Sequence, residues 1–483
     1  MERPSPRQLI AWFCTWAAAQ VLLVTGPIWL RANAFGFSNY DLGIYSQALA
    51  RLAIDPPNPW LSGRQIHVFN DHFDPILFLV TPFTRLFPAA QVGLVMEGCC
   101  ALLALGALAW LSWNGRLGLR ALWLLGGLMT FSPGVTQALG FPFHPTTWAM
   151  APMAWVLAAA LLERWRVMLV ALIILLACKE EFPFVGLALV PFLWLHAPRK
   201  ITWIVLTLSA AWGLVALVLR PRLLGDVMPY ASQPFRGLED GVGAFFATRF
   251  SAKALAGMGE LVLAFIPSML LLKPGLSEPV EDGPTTKPRV PAVLDKLGQT
   301  GALLITLIPM LGIRFLSVAW RDHYGAVVVS AAVLALAGII GRKAIPWWVL
   351  ISTLILLLAG NELLLRRDVR ALTGQHGWGA SAGCTDAPGR APAIRAALSR
   401  VRAEPGPLFV SGNLLPWLAE RDDVYAFGGP QPASVAPRVV LLEKPPCGDT
   451  WAQSLDERQA TLAAFRDADV LLDDAHVFAA RVK

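Results

Sequence analysis

Five short stretches gather the side chains that do proton and phosphate chemistry. They are Asn39-Tyr40-Asp41-Leu42-Gly43, Asp71-His72-Phe73-Asp74-Pro75, Phe141-Pro142-Phe143-His144-Pro145, Lys179-Glu180-Glu181 and Arg321-Asp322-His323-Tyr324. A carboxylate can take a proton from an incoming hydroxyl. Lysine and arginine can steady a leaving phosphate. A divalent ion, magnesium or manganese, held by aspartates could share that work. Transfer of a group from a lipid phosphate would need such a set.

Each stretch also has a plainer reading. Asp41 could cap a short interfacial helix running from Leu42 to Leu52. The Asp71-His72 and Asp74 cluster could be a solvated loop. Two carboxylates and an imidazole beside apolar Phe73 and Ile76–Val80 favour an ordered site instead. His144 could be an interfacial polar residue without a role. Lys179-Glu180-Glu181 could hold a neutralised pair that lowers the cost of burial. In the functional reading one glutamate orients a ligand group while Lys179 offers a cation. Arg321 and His323 could be interfacial residues, or they could hold a phosphate.

The elements that must position these residues are membrane helices. The chain has 483 residues, 55% of them hydrophobic and only 15% charged, and its mean hydropathy is +0.54. A soluble protein carries roughly 25% charged residues, so lipid is the solvent this chain calls for. Length would allow about three domains, but the composition argues for one large membrane domain, 1–365, and a tail, 366–483. A span needs about 20 mostly apolar residues. By that rule helices are expected near 8–30, 89–113, 118–138, 146–163, 166–178, 182–196, 201–220, 258–273, 299–315, 324–341 and 345–365. That makes about eleven spans, within a range of about 10–13. Those at 166–178, 182–196 and 258–273 are short. The apolar run 76–88 carries Pro75, Pro82 and Pro88 in and beside it, so it reads as a re-entrant or interfacial piece.

The formal net charge is +7, but the basic residues sit singly or in pairs at the ends of apolar runs. That arrangement sets topology and excludes a nucleic-acid partner. With Arg3 and Arg7 in the cytoplasm, Arg116/Arg120, Arg164/Arg166, Arg199/Lys200, Arg342/Lys343 and the insert 274–298 fall on the same side. Arg220, Arg222, Arg236, Arg249 and Lys253 are an exception, in one long outer loop. The N-terminus has no small-residue cleavage site after its apolar run and reads as a retained first helix. Under this topology all five chemical stretches map to one outer face, the first two of them in an outer loop at 31–88. A random scatter would divide them.

The tail reads as a small α/β domain outside the cytoplasm. Pro407–Ser411 and Val439–Leu442 look like strands, and Ala393–Val401 and Ser454–Phe465 look like helices. Cys384 and Cys447 would meet an oxidising compartment there, as a disulfide or as two free thiols. Cys14, Cys99, Cys100 and Cys178 lie in apolar runs as inert thiols, and no cysteine has metal-ligand spacing. No internal repeat is evident.

The run Asn39-Tyr40-Asp41-Leu42-Gly43-Ile44-Tyr45-Ser46-Gln47 resembles the FDLGIYDQ signature of a bacterial membrane-protein family of unknown function (numbered twenty seventy-nine). Four further pieces match that family's pattern in order: Asp71-His72-Phe73-Asp74-Pro75, Phe143-His144-Pro145, Cys178-Lys179-Glu180-Glu181 and Ser411-Gly412-Asn413-Leu414-Leu415-Pro416. Tyr40 stands where the family usually has Phe, and Ser46 where it often has Asp. The family resembles the GT-C glycosyltransferases. The resemblance implies a polytopic, helical inner-membrane protein with an outward-facing site and a polyprenyl-phosphate-linked sugar as donor.

By position the resemblance makes Asp41 the general base or a metal ligand, with Asp71 or Asp74 as second choice for the base. Asp71, His72 and Asp74 would shape the acceptor or metal site, the ion lying on Asp41 and Asp71. Tyr40, Gln47, His144, Lys179, Glu180, Glu181, Arg321, His323 and Tyr324 would bind donor phosphate, sugar or lipid, and the tail would help bind the envelope acceptor. Two rivals stay open. A transporter or flippase would place its ionisable groups at the midplane of two related halves. A non-catalytic scaffold for envelope assembly would tolerate Asn and Ala alike at Asp41.

Overall fold

The first helix begins where local chemistry says it should. The Ser5 side chain accepts the Gln8 backbone N–H and Gln8 accepts that of Ser5, with Pro6 at the first helical position. This capping box satisfies two of the amides that a helix start leaves without partners. The protein is seen in a computed structural model that describes residues 3–36, 40–54, 58–141, 143–224, 238, 240–263, 265–269, 305–317, 322–341, 345–358, 389–429, 431–445 and 455–482. Arg321, Cys384, Cys447, the insert 274–298 and the expected boundary at 365–366 lie outside the described residues.

Among those residues the protein is mostly helical, with a small sheet domain at the C-terminus. Three helices are long and apolar enough to cross a membrane: Pro6–Asn33, Ala89–Trp113 and Arg199–Leu224. Leu119–Phe131, Trp165–Leu176, Pro183–His196, Leu307–Leu316, Gly325–Ile340 and Trp347–Leu358 are apolar but shorter. The expected count of about eleven is thus not reached by length, and the shortfall has local causes. The run 118–138 breaks into Leu119–Phe131 and Pro133–Leu139, because Ser132 is extended before Pro133. Proline disfavours helical geometry in the residue before it and offers no N–H of its own. The proline-rich run 76–88 holds only a single turn, Leu77–Val80, and a 3-10 piece, Thr81–Arg85.

The Met150–Leu161 helix lies at the centre, buried along nearly all its length. Its Ala158-Ala159-Ala160 run lets neighbouring helices approach closely. It packs against Ala89–Trp113, Trp165–Leu176 and Gly325–Ile340. Ser330 donates to the Met150 carbonyl at 2.7 Å, and the Trp12 indole donates to that of Leu122 at 3.0 Å. Both bonds satisfy polar atoms that apolar surroundings would otherwise penalise. Where Pro133–Leu139 meets Gly325–Ile340 the backbones nearly touch. A Cβ on Gly325 would lie 2.5 Å from the Gly134 carbonyl oxygen.

Above this bundle the Tyr40–Ala53 helix lies on Ala89–Trp113 and under the 3-10 turn Gly412–Leu418. That turn belongs to the C-terminal domain. Its five-stranded sheet runs Val424–Ala426, Leu408–Val410, Val439–Glu443, Val477–Arg481, Asp469–Asp473 from edge to edge. The first three strands are parallel and the last two join antiparallel. Helix Arg390–Val401 packs on the sheet. The fully buried Arg390 guanidinium pairs with Glu443 and also donates to the Ala34 and Phe35 carbonyls, tying the domain to the start of the outer loop.

Candidate active site

The Tyr40–Ala53 helix starts at Tyr40, so Asp41 lies within its first turn rather than before it. Asp41 is half-buried, yet enough protein surrounds it that burial, reinforced by nearby Asp71, raises its carboxyl to about 6. His72, Arg64 and Lys179 act in the opposite sense. Asp71, buried, accepts the Arg64 guanidinium at 2.7 Å. Asp74 is more deeply buried, and its Oδ1 has no hydrogen-bond partner among the described residues. Burial, with Glu180 and Asp71 adding repulsion, lifts Asp74 to about 7 against the pull of His72 and Lys179.

His72 reaches across the chain to Glu180. Its Nδ1 lies 2.9 Å from Glu180 Oε1, while Glu180 Oε2 accepts the Phe73 backbone N–H at 2.8 Å. Burial and Lys179 both work against a charge on His72, but the Glu180 carboxylate outweighs them and its ionisation point rises. Burial alone would raise Glu180, but His72 and Lys179 hold it well below the usual carboxylate range. Lys179 donates to the Tyr324 hydroxyl at 3.1 Å and lies over that ring. Glu181 turns to a different partner, Arg314.

The third group is aromatic. The imidazoles of His144 and His323 stack with centroids 3.7 Å apart. Thr146 donates its backbone N–H to His144 Nδ1 at 3.3 Å. That nitrogen must therefore be bare, so Nε2 carries the proton and donates to the Tyr45 hydroxyl 3.1 Å away. Burial, with His323 and Lys179 acting in the same sense, pushes His144 well down and favours the neutral ring. His323 is likewise pushed well down by burial and by Lys179, and neither of its ring nitrogens has a partner among the described residues. The His144 backbone N–H is held by Glu97 at 2.8 Å.

The stretches expected to converge do so: Asp41, Asp71, His72, Asp74, His144, Lys179, Glu180, His323 and Tyr324 form one connected cluster. Two expected residues stand elsewhere. Gln47 faces the C-terminal domain, donating to Ser62 at 2.6 Å and accepting from the Gly63 N–H at 3.2 Å. Glu181 sits at the edge on Arg314. For Tyr40 only the backbone is described.

Arg220 belongs to the site and was not expected there. It is buried near the end of Arg199–Leu224, 5.8 Å over the Phe73 ring, and none of its three guanidinium nitrogens has a partner among the described residues. Glu180, Asp74 and Asp71 all act on it. Arg64, Tyr45 and Glu97 were also missed. For Glu97 a signal existed, since an ionisable residue inside an apolar run is a default functional suspect.

Beneath the cluster lies an apolar cavity of about 380 Å³. Ile76 and Cys178, next in sequence to Pro75 and Lys179, line it, as does Trp148, one helical turn beyond His144. Leu79, Phe83 and Val170 line it too and are exposed, so it opens on the flank of the bundle. Asp71 already carries a guanidinium, and the described residues contain no group of three His, Cys, Asp or Glu side chains arranged as ligands.

Residues 31–255 match the model of a family described as predicted membrane protein (DUF2079). This segment is similar to that family. It holds Asp41, the Asp71-to-Asp74 stretch, His144, Lys179, Glu180 and Arg220, while His323 and the Ser411-to-Pro416 turn lie beyond it. No curated protein matches the chain. Among solved structures, ArnT from Cupriavidus metallidurans bound to undecaprenyl phosphate is similar at 13% identity, over 97% of this chain and 98% of that chain, with a TM-score of 0.42. ArnT in the apo state is similar at 14% identity over 91% and 92%, with a TM-score of 0.38. A likeness at this level argues neither for a fold nor for an activity.

Proposed function

We propose that this protein is a membrane glycosyltransferase that moves a sugar from a polyprenyl-phosphate donor to an envelope acceptor on the outer face. The observation that carries the proposal is the junction of two chemistries. Carboxylates with raised ionisation points and buried cations meet at the upper end of an apolar cavity that opens on the flank. A substrate suited to both parts has an anionic head and a long apolar tail, which is the form of a lipid-linked phosphate sugar.

In this reading the acceptor hydroxyl attacks the anomeric carbon as the bond to the phosphate oxygen breaks. The phosphate leaves with the electron pair, and the hydroxyl proton goes to Asp41. A carboxylate held near 6 is a stronger base than an ordinary one and still ionised at neutral pH. Lys179 and Arg220 take up the charge that gathers on the leaving phosphate; inside a protein such fixed charges act far more strongly than in water. Glu180 favours the charged form of His72 and holds the ring in place.

The test is envelope-glycan and glycolipid profiling of cells carrying Asp41→Asn against wild type, at matched protein level. One glycan should lose a sugar, with turnover down about 10²- to 10⁴-fold, the usual worth of a general base. An unchanged profile, with Ala tolerated as well as Asn, would leave the scaffold reading standing.

A further inference from the structure

The Ser411-to-Pro416 stretch has no part in the chemistry above, yet it forms the turn that meets the Tyr40–Ala53 helix. Leu415 is the centre of that meeting. It is 1% exposed and fills a socket made of two glycines. A Cβ on Gly43 would lie 2.5 Å from Leu415 Cδ2, and a Cβ on Gly63 would lie 3.3 Å from Leu415 Cδ1. Any larger residue at Gly43 would have to displace the leucine, which is packed on its other side in the core of the C-terminal domain. Gly43 is two residues from Asp41, and Gly63 is next to Arg64, which holds Asp71. One side chain from the tail therefore sits behind both ends of the carboxylate cluster.

Polar contacts seal the same seam. Ser62 donates to the Val424 carbonyl at 2.8 Å and accepts from Gln47, and Arg51 pairs with Asp422. A tail that served only to recruit an acceptor would need none of these contacts at the back of the base.

We propose that Leu415 is a positioning residue: seated in the Gly43–Gly63 socket, it makes the C-terminal domain a fixed clamp that sets where Asp41 and the Arg64–Asp71 pair stand. The clamp does not depend on the glycosyl-transfer reading, because its readout is the carboxyl itself. The groups that act on Asp41 are Asp71, His72, Arg64 and Lys179. All of them come from the membrane-domain side, so a change in Leu415 alters no charge near it.

Two measurements on the full-length protein in membranes test the clamp. A Cβ on Gly43 would stand 3.6 Å from that of Leu415, inside the roughly 3.5–4.5 Å range of disulfides. Gly43→Cys combined with Leu415→Cys should therefore cross-link on mild oxidation, seen by mass spectrometry. The second readout is the pH dependence of Asp41 labelling by dicyclohexylcarbodiimide, which reacts with the protonated carboxyl. Leu415→Ala should loosen the socket, admit water and move the labelling midpoint down by about half a pH unit or more. Leu415→Met should restore it. Val440→Ala, in the separate cluster on the other face of the sheet, should weaken the domain without moving the midpoint. Absence of the cross-link, an unmoved midpoint in Leu415→Ala, or an equal shift in Val440→Ala would each overturn the proposal.

Discussion

Asp41 and Arg220 show how much burial changes what a side chain is. An exposed aspartate is ionised above about pH 4, whereas Asp41 is lifted to about 6. A general base works only when unprotonated. The rate should therefore fall as pH drops through about 6, tenfold for each further unit, and the midpoint should be read from a pH profile of sugar transfer in membranes. Arg220 carries a full charge with no hydrogen-bond partner among the described residues, an arrangement that invites an anion. Hydrogen bonds to charged groups are worth about 1.5–3 kcal/mol, so Arg220→Gln should weaken lipid-phosphate binding about 10- to 100-fold. Arg220→Lys should restore part of it, since lysine offers a charge without the planar fork. Titration with a short-chain polyprenyl phosphate measures both.

At the scale of elements, glycines decide how close the site's supports can come. The Phe143 ring occupies the space beside Gly93, where a Cβ would fall 2.0 Å from a ring carbon, and it stacks on Trp148. That packing fixes the turn carrying His144. Gly93→Ala must push the ring away and should cost about 1–3 kcal/mol, as overpacking does. Gly98, on the same helix, meets only Thr25 at 3.4 Å, so Gly98→Ala should be nearly neutral. Thermal unfolding of the two variants in detergent makes the comparison. The sequence pattern located most of these elements but not their breaks. Hydropathy ran straight through Ser132-Pro133, where backbone geometry ends one helix and starts another.

At the scale of the molecule, the cavity, the cluster and the C-terminal domain follow one another in that order. From the Lys/Arg bias we propose that the end with the C-terminal domain lies outside the cytoplasm. Alkaline phosphatase fused after Lys483 should then be active, and green fluorescent protein at the same point dark. The reverse pair of results would put the site on the inner face. The expectation about the loops rests on charge near a span end, which is a local property. The role of Arg220 was not legible, since in the sequence it resembles its exposed neighbour Arg222.

The sequence by itself determined the solvent, the helical class and the stretches able to do chemistry, because hydropathy, charge and motif are read within a few residues. Through topology it also led to the expectation that Asp41, Asp71 and Asp74 share a face. Only the tertiary structure decided which charges answer one another: His72 with Glu180, Arg64 with Asp71, Lys179 with Tyr324. It alone revealed Arg220 at the site and Leu415 in its glycine socket. Such partners lie up to hundreds of residues apart, and what joins them is the packing of whole elements, which no local pattern encodes.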